Sequence, residues 1–248
     1  MICRTMKTIV MAAGYATRLG ELTRDCPKPL LKIGDNTILG RMLDDIDTIG
    51  DIDRHIIVTN HRFAAIFERW AAKQHYTKPI TIVDDGTETN ETRLGAVSDL
   101  LLAMERLNID DDILVVAADN LLFFPFAEFA EYAVAKGTSC IMCHEQRDID
   151  KLRRTGVVEL DSDMRVVGME EKPREPKSHW AVPPFYIYRR EDLHLVRRSV
   201  AEGCGCDAPG NLARHMAART TIHAWPMSGG RFDIGSADTY REAVKLFG

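Results

Sequence analysis

Five strand-length apolar runs, at 7–12, 54–60, 80–84, 112–117 and 138–143, alternate with stretches of helical spacing at about 37–49, 62–73, 93–107 and 126–136. That alternation restricts the chain to stacked β-α-β units with parallel strands, because a strand needs a crossover helix before its parallel neighbour. "TIVMAA", "HIIVTN" and "DILVVAA" are apolar at consecutive positions, as required of strands covered by helices on both faces. The expected fold is therefore α/β: a Rossmann-like three-layer α/β/α arrangement around a mixed, mostly parallel sheet. In such sheets ligands bind beyond the carboxyl ends of the strands.

Beyond residue 150 the pattern changes. "TGVVELDSDMRVVGMEEKP" reads as a hairpin turning at Asp-Ser-Asp, followed by a strand at 180–188, a helix at 190–201, a Cys/Gly-rich loop at 203–210 and a closing helix at about 236–247. With 248 residues and 45% hydrophobic content, one substantial core is expected. The reading is one domain over 1–248, with a first part at about 6–145 and a closing part at about 146–248.

A net charge of −5 argues against nucleic acid or an anionic membrane as partner, since both reward a basic face. The six cysteines include Cys-x-x-Cys at Cys140 and Cys143 and Cys-x-Cys at Cys204 and Cys206, spacings that could supply zinc ligands. "TSCIMCHE" nevertheless reads as a buried strand with cysteine as a small hydrophobe. No leader or membrane-length apolar run is apparent, so a cytoplasmic location is expected.

After the first strand, "AAGYATRLG" supplies a turn of small residues, Ala12, Ala13, Gly14, Tyr15, Ala16 and Thr17, whose backbone amides can approach an anion. The stretch matches neither Gly-x-x-x-x-Gly-Lys-Ser/Thr nor Gly-x-Gly-x-x-Gly. Two cations follow. Arg18 offers a fork for phosphate oxygens, and Lys28, between Pro27 and Pro29, offers a preorganised point charge.

The stretch "MAAGYATRLGELTRDCPKPLLKIG" resembles the signature of the sugar-1-phosphate nucleotidylyltransferases, Gly-x-Gly-x-Arg-Leu followed by Pro-Lys-Pro-Leu, with Ala16 at the second glycine. The resemblance extends over residues 6–246. It implies Mg²⁺ held by Asp119, in "ILVVAADNLLF", and by Asp233, in "GGRFDIGSADTYREA", where the family motif is similar to Trp-x-Asp-x-Gly-Thr. Hard cations take such carboxylate oxygens. It also implies acceptor contacts from Glu171 and Lys172 in "GMEEKPREPKS", with Asn120 beside them, and places Arg18 and Lys28 in the catalytic role. Base recognition falls to 84–96, with Asp84 and Gly95 as nucleotide-binding candidates and Asn90, Thr92 or Arg93 where the family carries glutamine. "WAVPPFYIY" brings Pro183 or Pro184 to the place of a family glycine.

The implied substrates are an NTP and a sugar 1-phosphate. Family members often form dimers or tetramers, so a homo-oligomer is allowed for. Three other readings compete: a CTP-dependent cytidylyltransferase acting on phosphocholine or a phosphonate; a glycosyltransferase, which would carry Asp-x-Asp where only Asp119 stands; and a nucleotide-sensing binding protein. Ser236 is expected to cap the last helix, and His144, Trp180 and Trp225 to pack.

Overall fold

The computed structural model describes residues 5–248, so Cys3 lies outside the described residues. In chain order the first half comprises β1 (Met6–Met11), β2 (Lys32–Ile33), β3 (Asn36–Thr37), α1 (Ile38–Ile46), β4 (Ile52–Thr59), α2 (His61–Ala71), β5 (Ile80–Asp84), α3 (Ala96–Arg106), β6 (Asp112–Ala117), β7 (Asn120–Leu122) and α4 (Phe126–Lys136). There follow β8 (Ser139–Glu145), α5 (Ile149–Leu152), β9 (Gly156–Leu160), β10 (Val166–Glu171), β11 (Trp180–Val182), β12 (Phe185–Tyr188), α6 (Leu193–Ala201), α7 (Pro209–Ala217), β13 (Ile222–Pro226), β14 (Arg231–Asp233) and α8 (Ala237–Phe247).

One ladder of pairings runs in the order β10-β9-β11-β8-β12-β6-β1-β4-β5, with β13 on β8. The strands β6-β1-β4-β5 are mutually parallel, as the β-α-β alternation requires. Antiparallel pairing enters with β12, between β6 and β8. Alternate residues of β1 feed opposite cores: Ile9 packs with α3, α6 and α7, and Val10 with α1, α2 and α4. Both are fully buried, which is why the run shows no polar alternation. A third cluster joins Leu19, Leu31, Ile33, Ile38, Leu121, Ile234 and Ala243. It ties α8 and β14 to the segments that carry the basic residues of the N-terminal signature.

The hairpin, the five early strands and their helices lie where expected. The span 180–188 is two strands: Pro183 and Pro184 interrupt it, since neither can donate to a ladder. Beyond the interruption the outer edges part, β11 pairing with β9 and β12 with β6. The span 190–201 opens as a 3-10 turn, Arg190–Asp192, before α6. The 203–210 loop ends early, because Pro209 starts α7. Cys140 and Cys143 belong to opposite cores, so this Cys-x-x-Cys cannot close on one zinc ion. Trp225 packs against Phe124 and Phe129 as expected. Among the described residues no helix is long and apolar enough to cross a membrane.

Candidate active site

The turn after β1 is held from below. Ala12 N donates to Val58 O at 2.9 Å, and the buried Asn60 donates its Nδ2 to Ala13 O at 3.0 Å while its Oδ1 caps α2 by accepting from Phe63 N. Asn60 thus draws the Ala13 carbonyl inward, leaving the succeeding amides to line an anion-binding turn. A Cβ on Gly14 would meet nothing within 4 Å, which leaves room for a ligand. Ala16 adopts left-handed geometry at φ 48°, ψ 38°, a conformation natural to the glycine of the signature. Thr17 and Arg18 are exposed at the start of a 3-10 turn whose Leu19 is anchored in the third cluster. Tyr15 joins its hydroxyl to Thr87 Oγ1 at 3.1 Å.

Lys28 opens a second 3-10 turn, Lys28–Leu30, after an extended Pro27. Its side chain is only 10% exposed, and Nζ donates to Asp119 Oδ2 at 3.0 Å. Asp119 stands two residues past β6. β7 then pairs with β14, which sets Asp233 opposite Asn120 and lets Ile234 N donate to Asp119 O at 3.0 Å. This short ladder brings together two acids more than a hundred residues apart in sequence. Asp233 is open to solvent, yet the surrounding protein and Asp119 hold its carboxyl above the usual carboxylate range, against Arg231, Lys28 and Arg18.

Arg231 is the basic residue that sequence reasoning missed. It stands where the family motif has Trp, and its Nη1 donates to Asn120 Oδ1 at 2.6 Å. Asn120 in turn donates Nδ2 to Asp119 Oδ1 at 2.7 Å. With 2% exposure and both amide ends engaged, Asn120 braces Asp119 and does not present itself to an acceptor.

Among the described residues no group of three or more His, Cys, Asp or Glu side chains converges as a metal site. Two carboxylates beside a phosphate turn do suit Mg²⁺, which is bound through one or two carboxylates with substrate phosphates completing its shell. Asp119 and Asp233 would be its protein ligands.

In the segment expected to read the base, Asp84 is occupied at both ends, by His61 Nδ1 at 2.6 Å and Gly86 N at 2.8 Å. The next residue, Asp85, turns inward, takes Thr87 N at 2.7 Å and adjoins the buried Asp99 of α3. Burial first, and Asp85 second, push Asp99 up to about 7. Nothing in the apolar pattern of 93–107 distinguished that acid from an N-terminal helix charge. Gly95 has φ 93°, and a Cβ there would fall 2.6 Å from Cys206 O; it admits the 203–208 loop, whose Cys206 O accepts from Val97 N. Thr92 and Arg93 bond within their own loop, to Thr89 O and Asn90 O.

Of the expected acceptor contacts, Glu171 is 12% exposed and Lys172 58%, with Nζ 3.9 Å from Glu171 Oε1. A Cβ on Gly210 would collide with the Glu171 carboxylate, so that side chain lies against the start of α7. Its pKa is raised by burial, opposed by Lys172 and Arg214. Lys172 sits at φ 49° with its amide on Thr155 O. Pro184 O accepts from Ala117 N at 3.2 Å, fixing the proline pair at the carboxyl end of β6. His144, at the end of β8, is held neutral, pushed down to about 4 by burial and by Arg231.

A family model described as nucleotidyl transferase matches residues 7–247. A UTP–glucose-1-phosphate uridylyltransferase of Haloferax volcanii is 24% identical, over 96% of this chain and 95% of its own. A glucose-1-phosphate adenylyltransferase of Fervidobacterium nodosum is 22% identical over 94% of this chain, which spans 59% of that relative's length. A glucose-1-phosphate thymidylyltransferase of Neisseria meningitidis is 28% identical over 78% of this chain and 65% of its own. In fold, a UDP-glucose pyrophosphorylase crystallised with UDP-glucose superposes with a TM-score of 0.80 at 20% identity, covering 98% of both chains.

Proposed function

This chain belongs to the nucleotidyl transferase family, and from that premise we propose that it is a Mg²⁺-dependent sugar-1-phosphate nucleotidylyltransferase. In the proposed reaction a phosphate oxygen of the sugar 1-phosphate attacks the α-phosphorus of an NTP in line. The new P–O bond forms as the bond to the β-phosphate breaks, and pyrophosphate leaves with the electron pair. The observation that carries this reading is the convergence of Lys28, Asp119 and Asp233 at the carboxyl ends of the parallel strands.

The turn at 12–17 would hold the triphosphate through its amides. Arg18 and Lys28 would meet charge developing on the α-phosphate and the leaving group, with Lys28 exchanging its present Asp119 partner for phosphate oxygen. Asp119 and Asp233 would hold Mg²⁺, which would supply charge neutralisation. Lys172, exposed at the far side, would orient the attacking phosphate. No general base is required, because that phosphate is already anionic; positioning and preorganised charge do the work.

The names of the relatives cover uridylyl, adenylyl and thymidylyl transfer, and the substrates proposed are accordingly an NTP and a sugar 1-phosphate as classes. The test is pyrophosphate release from each NTP against a panel of sugar 1-phosphates, phosphocholine and aminoethylphosphonate, with Mg²⁺. Turnover confined to sugar 1-phosphates is expected. Turnover only with phosphocholine or the phosphonate would replace the acceptor class, and NTP binding with no turnover would leave a sensor. Lys28→Ala should lower kcat by about 100-fold or more while NTP affinity changes far less. Equal losses in both would remove Lys28 from the transition state.

A further inference from the structure

Arg231 lies within the site yet points away from every substrate role assigned above. Its guanidinium, Asn120 and Asp119 form a relay: Arg231 Nη1 donates to Asn120 Oδ1 at 2.6 Å, and Asn120 Nδ2 donates to Asp119 Oδ1 at 2.7 Å. Lys28 takes the other oxygen, Asp119 Oδ2, at 3.0 Å. We propose that Arg231 is a positioning residue, which aims the Asp119 carboxylate at the divalent cation by fixing Asn120.

The two ends of the Asn120 amide face different groups. An Asn side chain has an acceptor end and a donor end. With Arg231 at one side, the acceptor end has to face the guanidinium, and the donor end is thereby committed to Asp119. The reversed amide would set donor against donor and acceptor against carboxylate. Asn120 is 2% exposed, so water is not at hand to satisfy Oδ1 if the guanidinium is removed. A buried acceptor without a partner is costly, which favours turning the amide and releasing Asp119. Arg231 Nε is itself buried without a partner, so the guanidinium is held in this place at a cost, with one of its donors spent on Asn120.

Charge alone predicts the opposite result. Arg231 is Coulombically coupled to Asp119 and Asp233, and a cation beside two carboxylates repels a second cation. Were charge its whole effect, removing it would tighten divalent-ion binding. Positioning predicts loosening. The sign of the change therefore separates the two.

The inference depends on Asp119 and Asp233 being the cation ligands of the proposed transferase, and one experiment tests both. Mn²⁺ is titrated into the full chain without nucleotide and followed by electron paramagnetic resonance, for wild type, Arg231→Met, Arg231→Lys, Asn120→Ala, the double variant Arg231→Met/Asn120→Ala and Asp233→Asn. Loss of an outer partner of a metal ligand typically weakens binding by about 10-fold or more. That weakening is expected for Arg231→Met and for Asn120→Ala, with the double variant no weaker than Asn120→Ala and with Arg231→Lys partly restored. Asn120→Ala keeps the guanidinium, so it carries the test should Arg231→Met fail to fold.

Tighter or unchanged Mn²⁺ binding in Arg231→Met, or losses that add in the double variant, would overturn the positioning role and leave the cation site standing. Binding in the wild type that ignores Asp233→Asn would overturn the cation site, and the positioning role with it.

Discussion

Two residues at signature positions hold backbone geometry that L side chains rarely adopt: Ala16 at φ 48° and Lys172 at φ 49°. Both lie in segments assigned to phosphate, where strain of about 1–3 kcal/mol per residue is commonly stored. At Ala16 the methyl group limits the turn to fewer conformations than glycine would. The bend is thus preformed for a ligand at some cost in stability. Ala16→Gly should relieve about 1–2 kcal/mol of left-handed strain and return about 0.4–1 kcal/mol through the greater freedom of the unfolded chain. The expected net effect is a gain of about 0.5 kcal/mol in urea unfolding, with NTP affinity falling because the loosened turn must be ordered on binding. Stability and affinity moving together would contradict the preformed turn.

At the scale of elements, the legible parts were those that fill a whole layer. β1, β4, β5, β6 and β8 are runs of five residues or more, and in β1, β6 and β8 burial on both faces leaves a continuous apolar string. β7 and β14 have three residues each, too few for any period, yet their pairing brings Asp233 beside Asp119. Asp119 and Asp233 were found through motif resemblance. Arg231 was not, because it replaces a motif residue, and Asn60 looked like the last residue of a strand. At Gly95, a nucleotide-binding candidate from the sequence, the missing side chain admits a loop from the other half of the chain. Gly95→Ala must therefore displace Cys206 backbone as well as strain φ. About 2 kcal/mol of destabilisation is expected, along with a raised KM for NTP as the 84–96 segment shifts. A substitution neutral in both readings would show that the 203–208 loop yields freely.

Across the whole molecule, buried titratable groups pull the pH profile in opposite directions. Asp99, pushed up to about 7, holds a proton in the fold that the unfolded chain gives up near 3.8. Its contribution to stability is complete below that lower value and disappears as pH rises through 7. Two histidines, the buried His55 and the half-buried His144, act the other way. His144 is pushed down to about 4, and His55 is also lowered by burial; each takes up a proton on unfolding below about 6.5. Stability from these two is present above 6.5 and is lost on acidification. One full proton of difference corresponds to about 1.4 kcal/mol per pH unit. Between pH 4 and 6.5 His144 and Asp99 therefore oppose each other proton for proton and a rise from His55 remains, whereas between 6.5 and 7 Asp99 alone still falls. Asp99→Asn removes the falling component and leaves an amide able to donate to Asp85. Urea midpoints measured from pH 5 to 8 should give a shallow profile that declines near 7 for the wild type, and a profile that climbs to about 6.5 and then levels for Asp99→Asn. Parallel profiles for the two proteins would mean that Asp99 shares no proton with Asp85 in the fold, and that the acid beneath the 84–96 segment is ionised throughout.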